Sequence, residues 1–249
     1  MSDLPSPDRP LAGRVTLVLG ASRGIGYAGA LALARAGAHV IAAARTQGGL
    51  EELDDEVVAA TSARATLVPL DLADGAELDT LGAEIHRRWG RLDALVFAAG
   101  QLGGCAPTAH LAPKTWDKVL AVNLTAAFRA IRAFDPLLRA SDAGRALFLT
   151  SGVAANPRAF WSQYAASKAG LEALVRCYAD EVGHTGVRVA LMNPGPVATR
   201  MRAEAFPGED PATLPAPADL GPLMVALVRG DREPPAEVVQ FREWAEGRV

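Results

Sequence analysis

Tyr164 and Lys168 stand four residues apart in Gln163-Tyr164-Ala165-Ala166-Ser167-Lys168-Ala169-Gly170, in a chain with only three tyrosines and three lysines. The surrounding Ala165, Ala166, Ala169, Leu171, Ala173 and Leu174 predict a helix, on which that spacing puts phenol and ammonium on one face, a turn apart. A tyrosine of pKa about 10 is a poor proton donor or acceptor at neutral pH, and a fixed cation within a few ångströms lowers it toward the useful range. The pair is therefore a candidate general acid/base. An ordinary helix surface could carry the same spacing, so the remainder of the chain has to decide.

A second chemical feature lies near the N-terminus, where an apolar run at 15–19 leads into Gly20-Ala21-Ser22-Arg23-Gly24-Ile25-Gly26 and then an alanine-rich helix. Glycines at such a strand-to-helix turn let the backbone approach a diphosphate closely, and the helix N-terminus offers unpaired N–H groups and a positive dipole end. A simple tight turn would also use glycine, but the position between first strand and first helix favours the phosphate loop. The second strand ends in Ala44-Arg45-Thr46, with no acid until Glu51. An acid there would bind a free ribose 2′-hydroxyl, whereas Arg45 with Arg23 forms a two-guanidinium clamp suited to a 2′-phosphate.

The elements that must position these residues alternate regularly. Strands are expected at 15–19, 39–43, 65–69, 94–98, 146–150, 187–192 and 238–241, and helices at 25–36, 50–61, 76–89, 115–138, 163–182 and 219–228. This predicts an α/β fold: a doubly wound parallel sheet, with about seven strands and helices on both faces, in one Rossmann-type domain spanning 11–249. Residues 1–10, with three prolines and two aspartates, are expected as a disordered leader. The segment 194–217, with six prolines, is expected as a surface loop or short mobile helices.

Composition excludes several function classes. A net charge of −3, with 25 basic residues scattered along the chain, gives no footprint for nucleic acid or a membrane surface. No apolar stretch is expected to reach the ~18 residues of a membrane span. His39, His86, His110 and His184 have no ligand spacing, so no metal is expected. Cys105 and Cys177 read as reduced thiols and the cytoplasm as the compartment.

These motifs together resemble the short-chain dehydrogenase/reductase family across roughly 11–199, with weaker agreement to about 229. The family's Thr-Gly-x-x-x-Gly-x-Gly matches Gly20, Gly24 and Gly26, with Leu19 at the threonine, and its third-strand Asp, which meets the adenine, maps to Asp71 before Leu72. Its Asn-Asn-Ala-Gly appears as Phe97-Ala98-Ala99-Gly100, a departure that removes two polar side chains bracing the sheet in relatives. The resemblance implies a catalytic tetrad of Asn123, Ser151, Tyr164 and Lys168. It also implies a cofactor site built from Gly20, Ser22, Arg23, Gly24, Ile25, Gly26, Arg45, Asp71, Leu72, Ala99, Gly100, Asn123, Tyr164 and Lys168. Pro194, Gly195, Val197 and Thr199 complete it, with Val197 (backbone) and Thr199 (hydroxyl) meeting the nicotinamide carboxamide.

The function so implied is hydride transfer between NADP(H) and a small-molecule carbonyl or alcohol, Tyr164 exchanging the proton, Ser151 bonding the reacting oxygen and Asn123 holding a relay water. Leu102, Gly103, Gly104, Phe160, Trp161 and residues 201–206 are expected as substrate-pocket walls. By resemblance the protein is a homo-oligomer, dimer or tetramer, although the glycine-rich C-terminal segment of many relatives is replaced here by residues 242–249. A non-catalytic dinucleotide sensor or scaffold is the alternative, countered by the intact tetrad. A nucleotide-sugar epimerase or dehydratase is disfavoured by glycine spacing and by the little room left for a C-terminal substrate domain.

Overall fold

Val15–Leu19 (β1) is buried at every position, and its alternate side chains feed two separate cores, Leu17 and Leu19 on one face and Val18 on the other. A strand apolar on both faces belongs in the middle of a covered parallel sheet. The computed structural model, which describes residues 9–235 and 237–248, places it there. The other strands are His39–Ala44 (β2), Thr66–Pro69 (β3), Ala94–Phe97 (β4), Arg145–Leu149 (β5), Arg188–Asn193 (β6) and Val239–Gln240 (β7), all parallel, in the order β3-β2-β1-β4-β5-β6-β7. Order reverses between β1 and β4, and the crevice at such a switch point is where open α/β sheets bind ligands.

Helices cover both faces. Gly24–Arg35 (α1), Gln47–Thr61 (α2) and the later Gly221–Val228 pack with Val18, Val40, Ala42, Leu147 and Met192 on one side. Gly75–Trp89 (α3), Ala126–Arg139 (α5) and Ser162–Val182 (α6) pack with Leu17, Ile41, Leu95, Phe97 and Phe148 on the other. Phe97, which the resemblance aligns with the first asparagine of the family motif, is fully buried and stacks on its β5 register partner Phe148 at 5.9 Å. An aromatic pair thus braces β4 against β5 in place of polar side chains.

The structure departs from the sequence reading in the helix expected at 115–138 and in the apolar segment at 211–228. The single helix expected at 115–138 is divided into Pro113–Leu120 (α4), a π turn over Ala121–Thr125, and α5. The extra residue of the π turn lets Asn123 turn inward, its Oδ1 accepting from Gln101 N (2.8 Å) and its Nδ2 donating to Gln101 O (3.0 Å) and Ser167 Oγ (2.9 Å). The proline-rich segment takes the short-helix form among those expected for it, with Arg200–Ala205 (α7), capped by Thr199 Oγ1, and a 3₁₀ turn at Pro211–Thr213. The 18 residues Pro211–Val228 are, against expectation, apolar enough for a membrane span, yet the fold divides them between 3₁₀ turns and the eight-residue Gly221–Val228 (α8), which packs on the sheet. Phe241–Ala245 (α9) follows β7. Of the leader expected at 1–10, residues 1–8 lie outside the described residues.

Candidate active site

A crevice of about 750 Å³ opens at the carboxyl ends of β1, β2 and β4. Gly20, Ser22, Arg23, Gly24, Ile25, Gly26, Arg45, Asp71, Leu72, Ala99, Gly100 and Thr199 line it, so twelve expected cofactor residues converge. The glycines are needed sterically: a Cβ on Gly20 would lie 2.8 Å from Ala99 N, and one on Gly26 would lie 2.2 Å from Gly20 O. Arg23, in the N-cap position of α1, makes no side-chain cap. The first N–H groups of that helix are left for an anion at the glycine turn. Neither Arg23 nor Arg45 forms an ion pair among the described residues, and both are exposed on the crevice wall. A glycine cradle, an uncapped helix N-terminus and two free guanidinium groups fit a phosphorylated dinucleotide.

Tyr164 and Lys168 lie in the first two turns of α6, 8% and 3% exposed. Lys168 Nζ donates to Leu149 O at 2.8 Å and sits 5.9 Å from the Tyr164 ring centre. A Cβ on Gly100 would come within 3.8 Å of that Nζ and 3.9 Å of Asn123 Oδ1, so both lie behind Gly100, which lines the crevice, whereas Asn123, Ser151, Tyr164 and Lys168 themselves are not among its lining residues. The expectation that the ammonium lowers the phenol's pKa is corrected. Burial pushes Tyr164 up to about 12, the facing Ser151 hydroxyl pulling weakly the other way, and burial pushes Lys168 down to about 8 with Glu172 opposing. Desolvation wins because the phenol is enclosed while the ammonium spends a hydrogen on the Leu149 carbonyl.

Of the remaining expected residues, Pro194, Gly195 and Val197 form the turn after β6. Gly195 N donates to Asn193 Oδ1 at 3.1 Å with Gly195 at φ +67°, and Val197 is buried in the core. Thr199 brings its methyl within 3.6 Å of a Cβ on Gly24, so this turn closes over the glycine loop. Leu102 and Trp161 pack with Tyr164 and Met201 in a small apolar cluster, Trp161 edge-on to Tyr164 at 5.9 Å and tilted on Phe206 at 5.7 Å. Phe160 does not join them: it is 54% exposed with φ +71°, facing solvent.

The crevice also holds Gln101, Lys114, Thr115, Lys118 and Arg200, none of which the sequence reading singled out as site residues, and Met201 and Glu204 from the wall segment expected at 201–206. Lys114 and Lys118, one turn apart in a lysine-poor chain, were the available signal. Gln163 was also missed; it is fully buried, and its Nε2 donates to Leu102 O (3.1 Å) and Gly104 O (2.6 Å), pinning the loop after β4 to α6 beside Tyr164.

The sequence profile of the short chain dehydrogenase family matches residues 14–210. YciK, an uncharacterised oxidoreductase of Escherichia coli K12, is 39% identical over 220 residues, covering 88% of this chain and 87% of the relative. A short chain dehydrogenase of Shigella flexneri 2a, solved in complex with NADP, has TM-score 0.91 at 36% identity and covers 94% of this chain and 99% of that one. One from Escherichia coli CFT073, complexed with NADPH, has TM-score 0.91 at 36% identity, covering 95% and 100%. With its profile match, its seven-stranded parallel sheet and its glycine-loop crevice, this chain belongs to the short-chain dehydrogenase family of oxidoreductases.

Proposed function

We propose that the protein reduces a carbonyl compound to the alcohol with NADPH, reversibly, using Tyr164 as the general acid. The observation that carries the reading is the meeting of Ser151, Tyr164 and Lys168 beside a crevice walled by Arg23 and Arg45. Arg23 and Arg45 would hold the 2′-phosphate, the α1 N-terminus the diphosphate, Asp71 and Leu72 the adenine end, and Val197 and Thr199 the nicotinamide end. When bound, the cofactor supplies the hydride that the carbonyl carbon accepts. Tyr164 gives its proton to the oxygen of that carbonyl as negative charge develops, and Ser151 donates a hydrogen bond to the same oxygen. A phenol held near pKa 12 is fully protonated at neutral pH and is still a stronger acid than the alcohol formed when it protonates the alkoxide, so the site is set for reduction. Lys168 would fix positive charge beside the nicotinamide ribose, and Asn123 in its π turn would start the proton relay.

The apolar cluster of Leu102, Val153, Trp161 and Met201 around Tyr164 supports an apolar substituent on the carbonyl. Homo-oligomeric assembly belongs to the same reading and is measured by light scattering against the 26.0 kDa chain mass. The function is tested with a panel of carbonyl compounds followed by NADPH absorbance. Tyr164→Phe keeps the ring and is expected to retain NADPH binding while turnover falls about 10²–10⁴-fold. Full turnover by that variant removes the mechanism, and NADPH binding with no turnover of any carbonyl returns the protein to the sensor class.

A further inference from the structure

Three successive residues at the end of β5 meet three successive turns of α6. The Ser151 hydroxyl faces the Tyr164 phenol, Lys168 Nζ donates to Leu149 O at 2.8 Å, and Thr150 Oγ1 donates to Glu172 Oε1 at 2.8 Å. Positions 164, 168 and 172 recur every fourth residue and so share one helix face. Two of these rungs belong to the proposed acid/base set; the third, Thr150–Glu172, has no part in it so far. Both of its residues are buried, Thr150 at 3% and Glu172 at 8% exposed. A carboxylate removed from water is costly unless paired. Glu172 is paired twice, since its Oε2 also accepts from Arg176 Nη2 at 2.7 Å. Thr150 in turn donates its backbone N–H to Met192 O at 2.8 Å, so one residue joins β5, β6 and α6.

We propose that Glu172 is a positioning residue for Tyr164 and Lys168: it holds the register of α6 against β5 and presents a negative charge to Lys168 from one turn away. The inference rests on Tyr164 and Lys168 being the acid/base pair. The groups facing Lys168 are Tyr164 and Glu172 on its own helix, the Leu149 carbonyl on β5, and the Asn123 amide from the π turn. Glu172 is the charged group among them that acts on the ammonium, and it opposes the burial that brings Lys168 down to about 8. Without it the burial penalty acts unopposed, and Lys168 surrenders its proton closer to neutrality. The register role is distinct. Losing the Thr150 rung leaves the charge in place and frees the β5 end that carries Ser151.

The chain's three lysines make the test direct. Lysine labelled with carbon-13 at Cε gives three resonances, and the one absent from Lys168→Met is Lys168. In the full-length protein its titration midpoint is expected near pH 8, and Glu172→Gln, which keeps an oxygen for Thr150 but not the charge, is expected to move it down by about half a unit or more. Thr150→Val should leave the midpoint unmoved while lowering kcat about tenfold with little change in KM, and Thr150→Ser, which keeps the hydroxyl, should restore kcat. An unmoved midpoint in Glu172→Gln overturns the charge role, and unaltered kcat in Thr150→Val overturns the register role. If Glu172→Gln does not fold, Arg176→Met takes its place. Removing that exposed guanidinium frees the carboxylate for Lys168, so the midpoint should rise, and a fixed or falling midpoint overturns the coupling. The titration needs no substrate, so its result stands apart from that of the carbonyl panel.

Discussion

At the scale of single residues, burial moves the proton affinities of Tyr164 and Lys168 away from their values in water, the phenol up and the ammonium down. Lys168, brought from 10.5 to about 8 by burial, binds a proton less tightly in the folded chain than in the unfolded one. Between those two values the unfolded state carries more protons, so stability rises with pH across that window, and below pH 8 the full penalty is present. Lys168→Met is accordingly expected to stabilise the fold at pH 7 by on the order of 2–3 kcal/mol while abolishing turnover, as urea unfolding and the NADPH assay would register. An unchanged or lowered midpoint of unfolding would contradict the burial argument. The exposed Arg45 carries no such penalty. Its expected contribution is to cofactor choice, and Arg45→Ala should reduce the preference for NADPH over NADH by about tenfold in parallel titrations of the two cofactors, one charge-assisted contact being worth about 1.5–3 kcal/mol.

At the scale of elements, close approach decides what each turn tolerates. The β1–α1 turn leaves no room for a methyl group at Gly26, whose Cβ would press on the Gly20 carbonyl. Gly26→Ala is expected to weaken dinucleotide binding at least tenfold, by moving the turn, with the sheet intact by far-ultraviolet circular dichroism. Binding equal to wild type would show that the turn does not cradle the ligand. Further along the sheet the Phe97–Phe148 stack holds β4 and β5, the strands whose ends carry Gly100 and Ser151. Phe97→Ala should cost about 3–5 kcal/mol in chemical denaturation. Phe97→Asn is expected to be no better, because it buries an amide against the Phe148 ring.

Across the whole molecule, chemistry and stabilisation occupy opposite ends of the sheet. The carboxyl ends of the strands carry the crevice, whereas the amino ends carry a buried polar assembly around Asp93 and Arg145, 1% and 4% exposed. Asp93 accepts from Val15 N (2.8 Å), Ser141 Oγ (2.6 Å) and Arg91 Nε (3.0 Å). Arg145 donates to the carbonyls of Arg229 (2.9 Å), Gly230 (2.7 Å) and Arg232 (3.1 Å), fastening the chain after α8 to the start of β5. Arg145→Met leaves those carbonyls unpaired and is expected to destabilise by about 2–4 kcal/mol, speeding hydrogen exchange around 229–232 while the affinity for NADPH is unchanged. A parallel loss of affinity would show that the two ends are coupled.

The sequence by itself determined the layered α/β architecture and the identity of the crevice. Apolar strands alternating with helices can bury both faces only in a covered parallel sheet, and Gly20, Gly24, Gly26, Arg23 and Arg45 are legible because each does its work where local spacing puts it. The spacing of Tyr164 and Lys168 likewise gave their shared helix face. Tertiary structure alone decided what those two groups feel, because desolvation depends on everything packed around a side chain, and it reversed the expected direction at the phenol. It also put a π turn into the helix expected at 115–138, since only the distant Gln101 and Ser167 give Asn123 a reason to turn inward. Glu172, visible in sequence as the next turn after Lys168, acquires its meaning from Thr150, a residue 22 positions away that the sheet brings to 2.8 Å. Local pattern specifies which elements form and which faces they show; the partners of a buried polar group are set by long-range packing.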